Sequence, residues 1–285
     1  MSVKEIDLNI QNEYAPLKSV YMSDRQNPDH QGFIGQLKSL GVDVILANKT
    51  QLSGIHWPFL RDPFMVVDDT FVLGGIDRGA DNGITTRPPD ILSTAGNIYD
   101  LIHDNKFTWY AEAVRDKQNI PVILEGGDVI VHNGTIFVGQ GGQFTNKYGL
   151  RLMQEQWDKK FGNKFNVQPI YMQPEAQVTH LDCVFNPISE DTAIVHFDPI
   201  MPASRALIKK YFERLITLKR SEYAALAANV FSVGDKQVFV EKRQERLIKE
   251  LTKNSFKPIP TKFSIPISSG GSFRCATMPL IREKE

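Results

Sequence analysis

Four times along this chain an apolar run, a short polar turn and a second apolar run follow one another, with an amphipathic segment behind them. The stretches are PFMVVDDTFVLGG, DVIVHNGTIFVGQ, LDCVFNPISEDTAIVHF and NVFSVGDKQVFVE. In three of them the pairs Asp68-Asp69, Asn133-Gly134 and Gly234-Asp235 supply the residue types that reverse a hairpin. Apolar residues at spacings of three and four predict helices over Gly32–Leu40, Trp109–Lys117, Lys147–Phe161, Ser204–Thr217 and Val240–Lys253. With the N-terminal SVYMS, QGFIGQLKSL and VDVILAN, about five strand-and-helix units result. A ring of five such units closes a single α/β domain over residues 1–285 and points the early strand ends at a shared centre.

With 285 residues, 41% of them hydrophobic, the chain can build a sizeable core. Thirty-three basic residues balance thirty-three acidic ones without a long run of either sign, which argues against nucleic acid or a membrane surface as partner. A small, specifically held ligand fits better, and a homo-oligomer stays open. The start, MSVKEIDLNIQNEYAP, carries no apolar leader, and nothing reaches the roughly 18 apolar residues of a membrane span, so a cytoplasmic protein is expected. Two cysteines, Cys183 and Cys275, make no disulfide framework and are expected as free thiols. The histidines at 30, 56, 103, 132 and 196 lack metal spacing, and no His or Cys cluster argues for zinc. Gly74–Asn97, crowded with Gly, Asp, Thr and Pro, reads as a long surface loop, a candidate lid.

Three motifs sit at strand edges. Asp62, in WPFLRDPF, precedes a strand and is biased to extended backbone by Pro63; taken alone it also reads as an Asx turn. Glu125, in ILEGGDVIV, follows an apolar run and precedes two glycines that let another group approach the backbone; the alternative is a polar bulge with Asp128 as turn residue. In VTHLDCVFNP, read as a strand, His180 and Asp182 share one face, and Cys183 on the other is a core thiol. Near the end, SSGGSFRCATMPL brings Cys275 behind a glycine pair that suits a flexible approach and room for a substrate. A cysteine activated by His180 or by a cationic substrate supports acyl or amidino transfer. Two aspartates, Asp62 and Asp182, add paired negative charge that can grip a guanidinium bidentately.

Phe59-Leu60-Arg61-Asp62, Leu124-Glu125-Gly126-Gly127-Asp128, His180-Leu181-Asp182 and Arg274-Cys275-Ala276-Thr277-Met278-Pro279-Leu280 resemble, in that order, the motifs of arginine deiminases and dimethylarginine dimethylaminohydrolases. These are members of the guanidine-modifying (pentein) superfamily, and NEYAPLKSV resembles its first strand, so the likeness spans nearly the whole chain. The resemblance implies a pseudo-fivefold α/β propeller with the site on its axis. It implies Cys275 as nucleophile forming a covalent amidino-thioether, His180 as acid and then base, and Glu125 as partner of His180 and of the guanidinium, with no metal or organic cofactor required. Asp62 and Asp182 would bind the remaining nitrogens, Phe59 would pack on the alkyl chain, and Arg274 is a candidate substrate contact or the partner of an acidic neighbour.

The chain also departs from the family pattern. Both hydrolase families carry an arginine for the substrate carboxylate just before the position that Thr145 matches, where this chain has Gln143 and Phe144. The carboxylate is then blocked, absent, or held by Arg78, Arg87 or Arg274. Amidinotransferases share the fold and the cysteine, but they carry an Asp-Ala-Ala motif where Glu125 stands and a histidine where Arg274 stands, which favours the hydrolase reading. A non-catalytic binder of cationic guanidino ligands is the remaining alternative.

Overall fold

A computed structural model describes residues 6–47, 59–74, 102, 107–109 and 122–284. Within them lie five three-stranded sheets of a common plan. A central strand pairs antiparallel with one neighbour and parallel with the other. The first sheet holds β1 (Leu17–Ser23) between β2 (Asp43–Ala47) and the last strand of the chain, β15 (Thr277–Arg282). The second is β3 (Phe64–Val67), β4 (Thr70–Leu73) and β5 (Phe107–Trp109). The third is β6 (Val129–His132), β7 (Thr135–Gln140) and β8 (Asn166–Tyr171). The fourth is β9 (Phe185–Pro187), β10 (Thr192–Val195) and β11 (Arg214–Thr217), and the fifth is β12 (Phe231–Gly234), β13 (Gln237–Glu241) and β14 (Lys257–Thr261).

Helices α1 (Pro28–Ser39), α2 (Lys147–Phe161), α3 (Pro202–Tyr211) and α5 (Glu245–Lys253) make the crossovers that parallel pairing requires; the short α4 (Arg220–Ala224) and α6 (Ser264–Ser268) lie in connections. Capping sets the starts of the first two. Asn27 accepts from the backbone N–H of His30 at 2.8 Å, and Asn146 accepts from those of Tyr148 and Gly149. The expected helix over Lys147–Phe161 is present with those bounds, and α1 starts four residues before the expected Gly32.

Two helices expected from periodicity are shorter because sheet pairing competes for their ends. Ser204–Thr217 ends as a helix at Tyr211, and β-branched Ile216 and Thr217 pair with β10 instead. Val240–Lys253 begins inside β13 and turns helical only at Glu245. Trp109 closes β5; the rest of the expected Trp109–Lys117 helix, and all of the Gly74–Asn97 loop except Gly74, lie outside the described residues.

The hairpins follow the turn chemistry. Asn133 and Gly134 both have positive φ, 38° and 76°, the requirement of a two-residue turn that matches strand twist. In the fifth sheet the turn is Asp235-Lys236, at φ 50° and 60°, one residue later than expected, with Gly234 at the register shift beside it.

Apolar residues gather in four clusters, most of them between neighbouring sheets. Phe33 of α1 meets Phe239 of β13 edge to face at 4.9 Å and Phe273 at 5.0 Å, which joins the first sheet to the fifth. Arg282 on β15 makes the same junction in polar form, donating from Nη1 to the Ala15 carbonyl and from Nη2 to that of Ser232 at 2.8 Å. Replacing Arg282 by Met would leave both buried carbonyls unmet. Equilibrium denaturation should report a loss of about 2 to 3 kcal/mol.

Candidate active site

Each sheet brings a polar residue to the entrance of the strand that pairs antiparallel with its central strand. Asp62 stands two residues before β3, and Glu125 precedes a 3-10 turn (Gly126–Asp128) that leads into β6. His180 precedes a second 3-10 turn (Leu181–Cys183) before β9, Asn229 stands two residues before β12, and Cys275 two before β15.

Hydrogen bonds link these entrances in a closed circuit. The Arg61 N–H donates to the Cys275 carbonyl at 3.1 Å, and that of Gly126 to Asp62 at 2.8 Å. The Leu181 N–H donates to Asp128 Oδ1 at 2.8 Å. Asn229 Nδ2 donates to the Asp182 carbonyl at 3.3 Å, and the Arg274 N–H to the Asn229 carbonyl at 3.4 Å.

The two glycines behind Glu125 act as expected. A Cβ on Gly126 would collide with the Arg61 carbonyl, and one on Gly127 would stand 2.6 Å from Cγ of His180. The backbone at Glu125 is fixed by Thr145, whose hydroxyl accepts the Glu125 N–H at 3.0 Å.

His180, 2% exposed, lies between carboxylates: Nε2 is 2.7 Å from Glu125 Oε2, and Nδ1 is 3.7 Å from Asp62 Oδ1. Burial opposes its charge, but Asp62, Glu125 and Asp128 outweigh it and hold the imidazole protonated well above the usual range. Burial lifts Asp128 itself to about 6, against the pull of His180 and the bonds from Thr145 and Leu181. The Phe144 ring packs 5.4 Å from that of His180. Among the described residues, Asp62, Glu125 and His180 are the His, Cys, Asp or Glu group whose donor atoms, all within 4.8 Å of one another, are close enough to share a cation.

Asp182 and Cys275 form the other half. His180 is extended, but Asp182 lies in a 3-10 turn, so the alternation that placed both on one face of a strand does not apply. Asp182 faces the cysteines instead: its carboxylate oxygens are 3.6 and 3.9 Å from Sγ of Cys275, and Oδ1 is 3.6 Å from Sγ of Cys183. Cys183 is buried as expected of a core thiol, yet it also adjoins Cys275. The Cys183 thiol, burial, and the charges of Asp182 and Asp62 together push the Cys275 thiol well above its usual range.

Arg274 does not face the site. It is 1% exposed, and its guanidinium donates to Asp182 Oδ2, to Glu13 Oε1 and to the Val129 carbonyl, each at 2.8 Å. The acidic-partner alternative therefore describes it, and it is not an available holder of a substrate carboxylate. Arg78 and Arg87 lie outside the described residues. Phe59 is buried against Gly271, where its ring fills the space that a Cβ would need. The room foreseen for substrate at the glycine pair is thus occupied by Phe59.

Sequence reasoning missed Glu13 and Asn229. Glu13 adjoins both Arg274 and Arg61, which outweigh burial and hold its carboxyl at about 2. Asn229 bonds Cys275 on both sides, its Oδ1 accepting the backbone N–H and its Nδ2 donating to Sγ, each at 3.1 Å. The signal for Asn229 was the repeat itself, since it holds in the fifth unit the strand-entrance position of Asp62 and Cys275.

A histidine thus lies buried among carboxylates and a thiol beside a further carboxylate, and the comparisons with known proteins give the family. A family model described as N,N dimethylarginine dimethylhydrolase, eukaryotic, matches residues 9–282, and the chain belongs to that family, within the guanidine-modifying (pentein) superfamily. YkgA of Bacillus subtilis, an uncharacterized protein, is 28% identical over 257 residues, 90% of this chain and 80% of that one. Among solved structures, SxtG, an amidinotransferase of Microseira wollei, superposes at TM-score 0.74 with 18% identity over 98% of both chains. DDAH from Pseudomonas aeruginosa, solved with citrulline, superposes at 0.72 with 14% identity over 93% of this chain and 100% of that one. The N-terminal domain of ArgZ, a cyanobacterial arginine dihydrolase, solved covalently bound to a reaction intermediate, superposes at 0.70 with 18% identity over 93% and 98%. No helix among the described residues is long and apolar enough to cross a membrane.

The His180 charge carries its own test. Its folded value lies above the unfolded value of about 6.5, so the stabilisation it gives is complete below about 6.5 and is lost as pH rises through the folded value. In Asp62→Asn, one of the two flanking charges is gone. NMR titration of the ring should show His180 deprotonating at lower pH than in the wild type; an unmoved titration would remove Asp62 as a holder of its charge.

Proposed function

We propose that this protein is a cysteine-dependent hydrolase of a small guanidino compound, folded as one five-bladed α/β propeller over residues 1–285 with the site on its axis. The observation that carries the reading is His180 held as an imidazolium between Glu125 and Asp62, with the Cys275 thiol against Asp182. The closed circuit of strand entrances supports the propeller, and family membership supports the guanidino substrate.

In this reading the substrate guanidinium binds among Asp62, Glu125 and Asp182, and its alkyl chain lies toward Phe59. Its charge offsets the carboxylates that keep Cys275 neutral, and the thiol releases its proton to solvent. The thiolate sulfur bonds to the guanidinium carbon. As the tetrahedral adduct collapses, a carbon–nitrogen bond breaks and the His180 imidazolium gives its proton to the departing ammonia or alkylamine. The product of this half is an amidino-thioether on Cys275. Neutral His180 then takes a proton from water and the oxygen bonds to the same carbon; as the adduct collapses its hydroxyl proton passes to solvent, the carbon–sulfur bond breaks with the sulfur leaving as thiolate, and a ureido product is released. Neither a metal nor an organic cofactor enters any of these steps. The ArgZ domain with a covalent intermediate and the DDAH with citrulline are in keeping with both halves.

Amidino transfer to an amine is the second reading, favoured by the superposition on SxtG. It uses the same first half, with an amine in place of water. Incubation with arginine, methylated arginines, agmatine and guanidino acids, with and without acceptor amines, separates the two: hydrolysis gives ureido product in water alone, transfer gives a new guanidino compound only with acceptor. Cys275→Ser should keep substrate binding and lose at least about a thousandfold in turnover. Absence of turnover of every compound in wild type, with no selective labelling of Cys275 by iodoacetamide, would leave the binder reading instead.

A further inference from the structure

Asn229 is 1% exposed, and its amide has one possible orientation. Oδ1 takes the backbone N–H of Cys275 at 3.1 Å, a bond only an oxygen can accept. Nδ2 meets the Asp182 carbonyl at 3.3 Å, which only an N–H can satisfy. The remaining neighbour of Nδ2 is the Cys275 sulfur at 3.1 Å, so the amide presents a donor, not an acceptor, to the sulfur.

The other groups around that sulfur differ in sign. The Asp182 carboxylate lies at 3.6 and 3.9 Å, and Asp62 and the Cys183 thiol act on it as well; all three favour the neutral thiol. The Arg61 guanidinium, buried nearby, interacts with Cys275 in the opposite sense. A thiol can donate to Asp182 without help from Asn229. An amide N–H, by contrast, binds a thiolate much more strongly than a neutral sulfur, because charge-assisted hydrogen bonds are about twice as strong as neutral ones.

We propose that Asn229 is a catalytic residue of this site, the fixed N–H donor that stabilises the Cys275 sulfur as a thiolate and holds its direction of attack. The proposal rests on the reading of Cys275 as nucleophile. Because Asn229 binds both the backbone nitrogen and the sulfur of one residue, it restrains the Cys275 side-chain rotation as well as the charge. The same donor stays in place when the sulfur leaves as thiolate in the second half of the reaction, so it serves both halves. It is also the polar residue that the fifth sheet supplies at its strand entrance, as Asp62, Glu125 and His180 are for theirs.

The test follows alkylation of Cys275 by iodoacetamide in the full chain without substrate, with peptide-resolved mass spectrometry reading Cys275 and Cys183 separately. At a fixed pH, Asn229→Ala should slow alkylation of Cys275 about tenfold, the equivalent of one pH unit in its titration, and leave Cys183 unchanged. Asn229→Asp, which puts a carboxylate oxygen where the N–H stood, should slow it further. A purely structural role would lower the melting temperature and leave the Cys275 rate and its pH midpoint where they are in the wild type; that outcome, or a faster rate, overturns the proposal. Should Asn229→Ala not fold, Asn229→Ser is judged by the same rate. Labelled Cys275 with an unmoved midpoint defeats the role of Asn229 alone. Wild-type Cys275 that resists labelling at every pH defeats the nucleophile reading and the role of Asn229 with it.

Discussion

The guanidinium of Arg274 organises the site from behind. It is almost fully buried, and it makes three bonds of 2.8 Å, two of them to carboxylates that are themselves out of solvent. A lone charge in such a place would be very costly, and so would the carboxylates of Glu13 and Asp182 without it. Each therefore requires the others, and the chain of charge runs from Asp182 through Arg274 and Glu13 to Arg61. One end of that chain is the carboxylate beside Cys275. The other reaches Thr277, whose carbonyl accepts from Arg61 Nε at 3.0 Å, so one end meets the cysteine and the other the strand that follows it.

That arrangement accounts for polar strand entrances beside apolar residues that lie mainly between sheets. Each sheet buries a face against its neighbours, and the strand entrances are left to meet one another. Backbone N–H and C=O groups at those entrances would be buried without partners; the hydrogen bonds from one entrance to the next supply them. The same requirement gathers short polar side chains, and so an acid, a base and a thiol come together from segments far apart in sequence. In our reading this is how a repeat with no internal chemistry of its own acquires a site.

Much of this was legible beforehand. Hairpin turns with positive φ announce themselves as Asn-Gly and Asp pairs, and helix periodicity located α2 to the residue. Less legible were places where two local preferences compete: residues 214–217 and 240–241 suit a helix by spacing, but a neighbouring strand claims them. The motif around His180 reads as polar and close to a strand, but the same-face pairing of His180 and Asp182 depends on a strand that is absent there, and a single 3-10 turn leaves no periodic trace. Arg274 next to Cys275 reads equally as substrate contact or buried partner, because its decisive neighbour, Glu13, is 261 residues away.

The sequence by itself determined the repeat, the Asn133-Gly134 turn and the motifs that carry Asp62, Glu125, His180 and Cys275, because each depends on residues close together in the chain. It also carried the family resemblance that the comparisons bear out. The pairing of Glu125 with His180 was already implied by the resemblance; only the tertiary structure set Asp62 at the other nitrogen of His180 and Asp182 beside Arg274 and Cys275. It alone brought Asn229 to the sulfur and turned Arg274 inward. The physical reason is that a buried charge takes its role from whatever lies within a few ångströms, and here those neighbours come from different sheets.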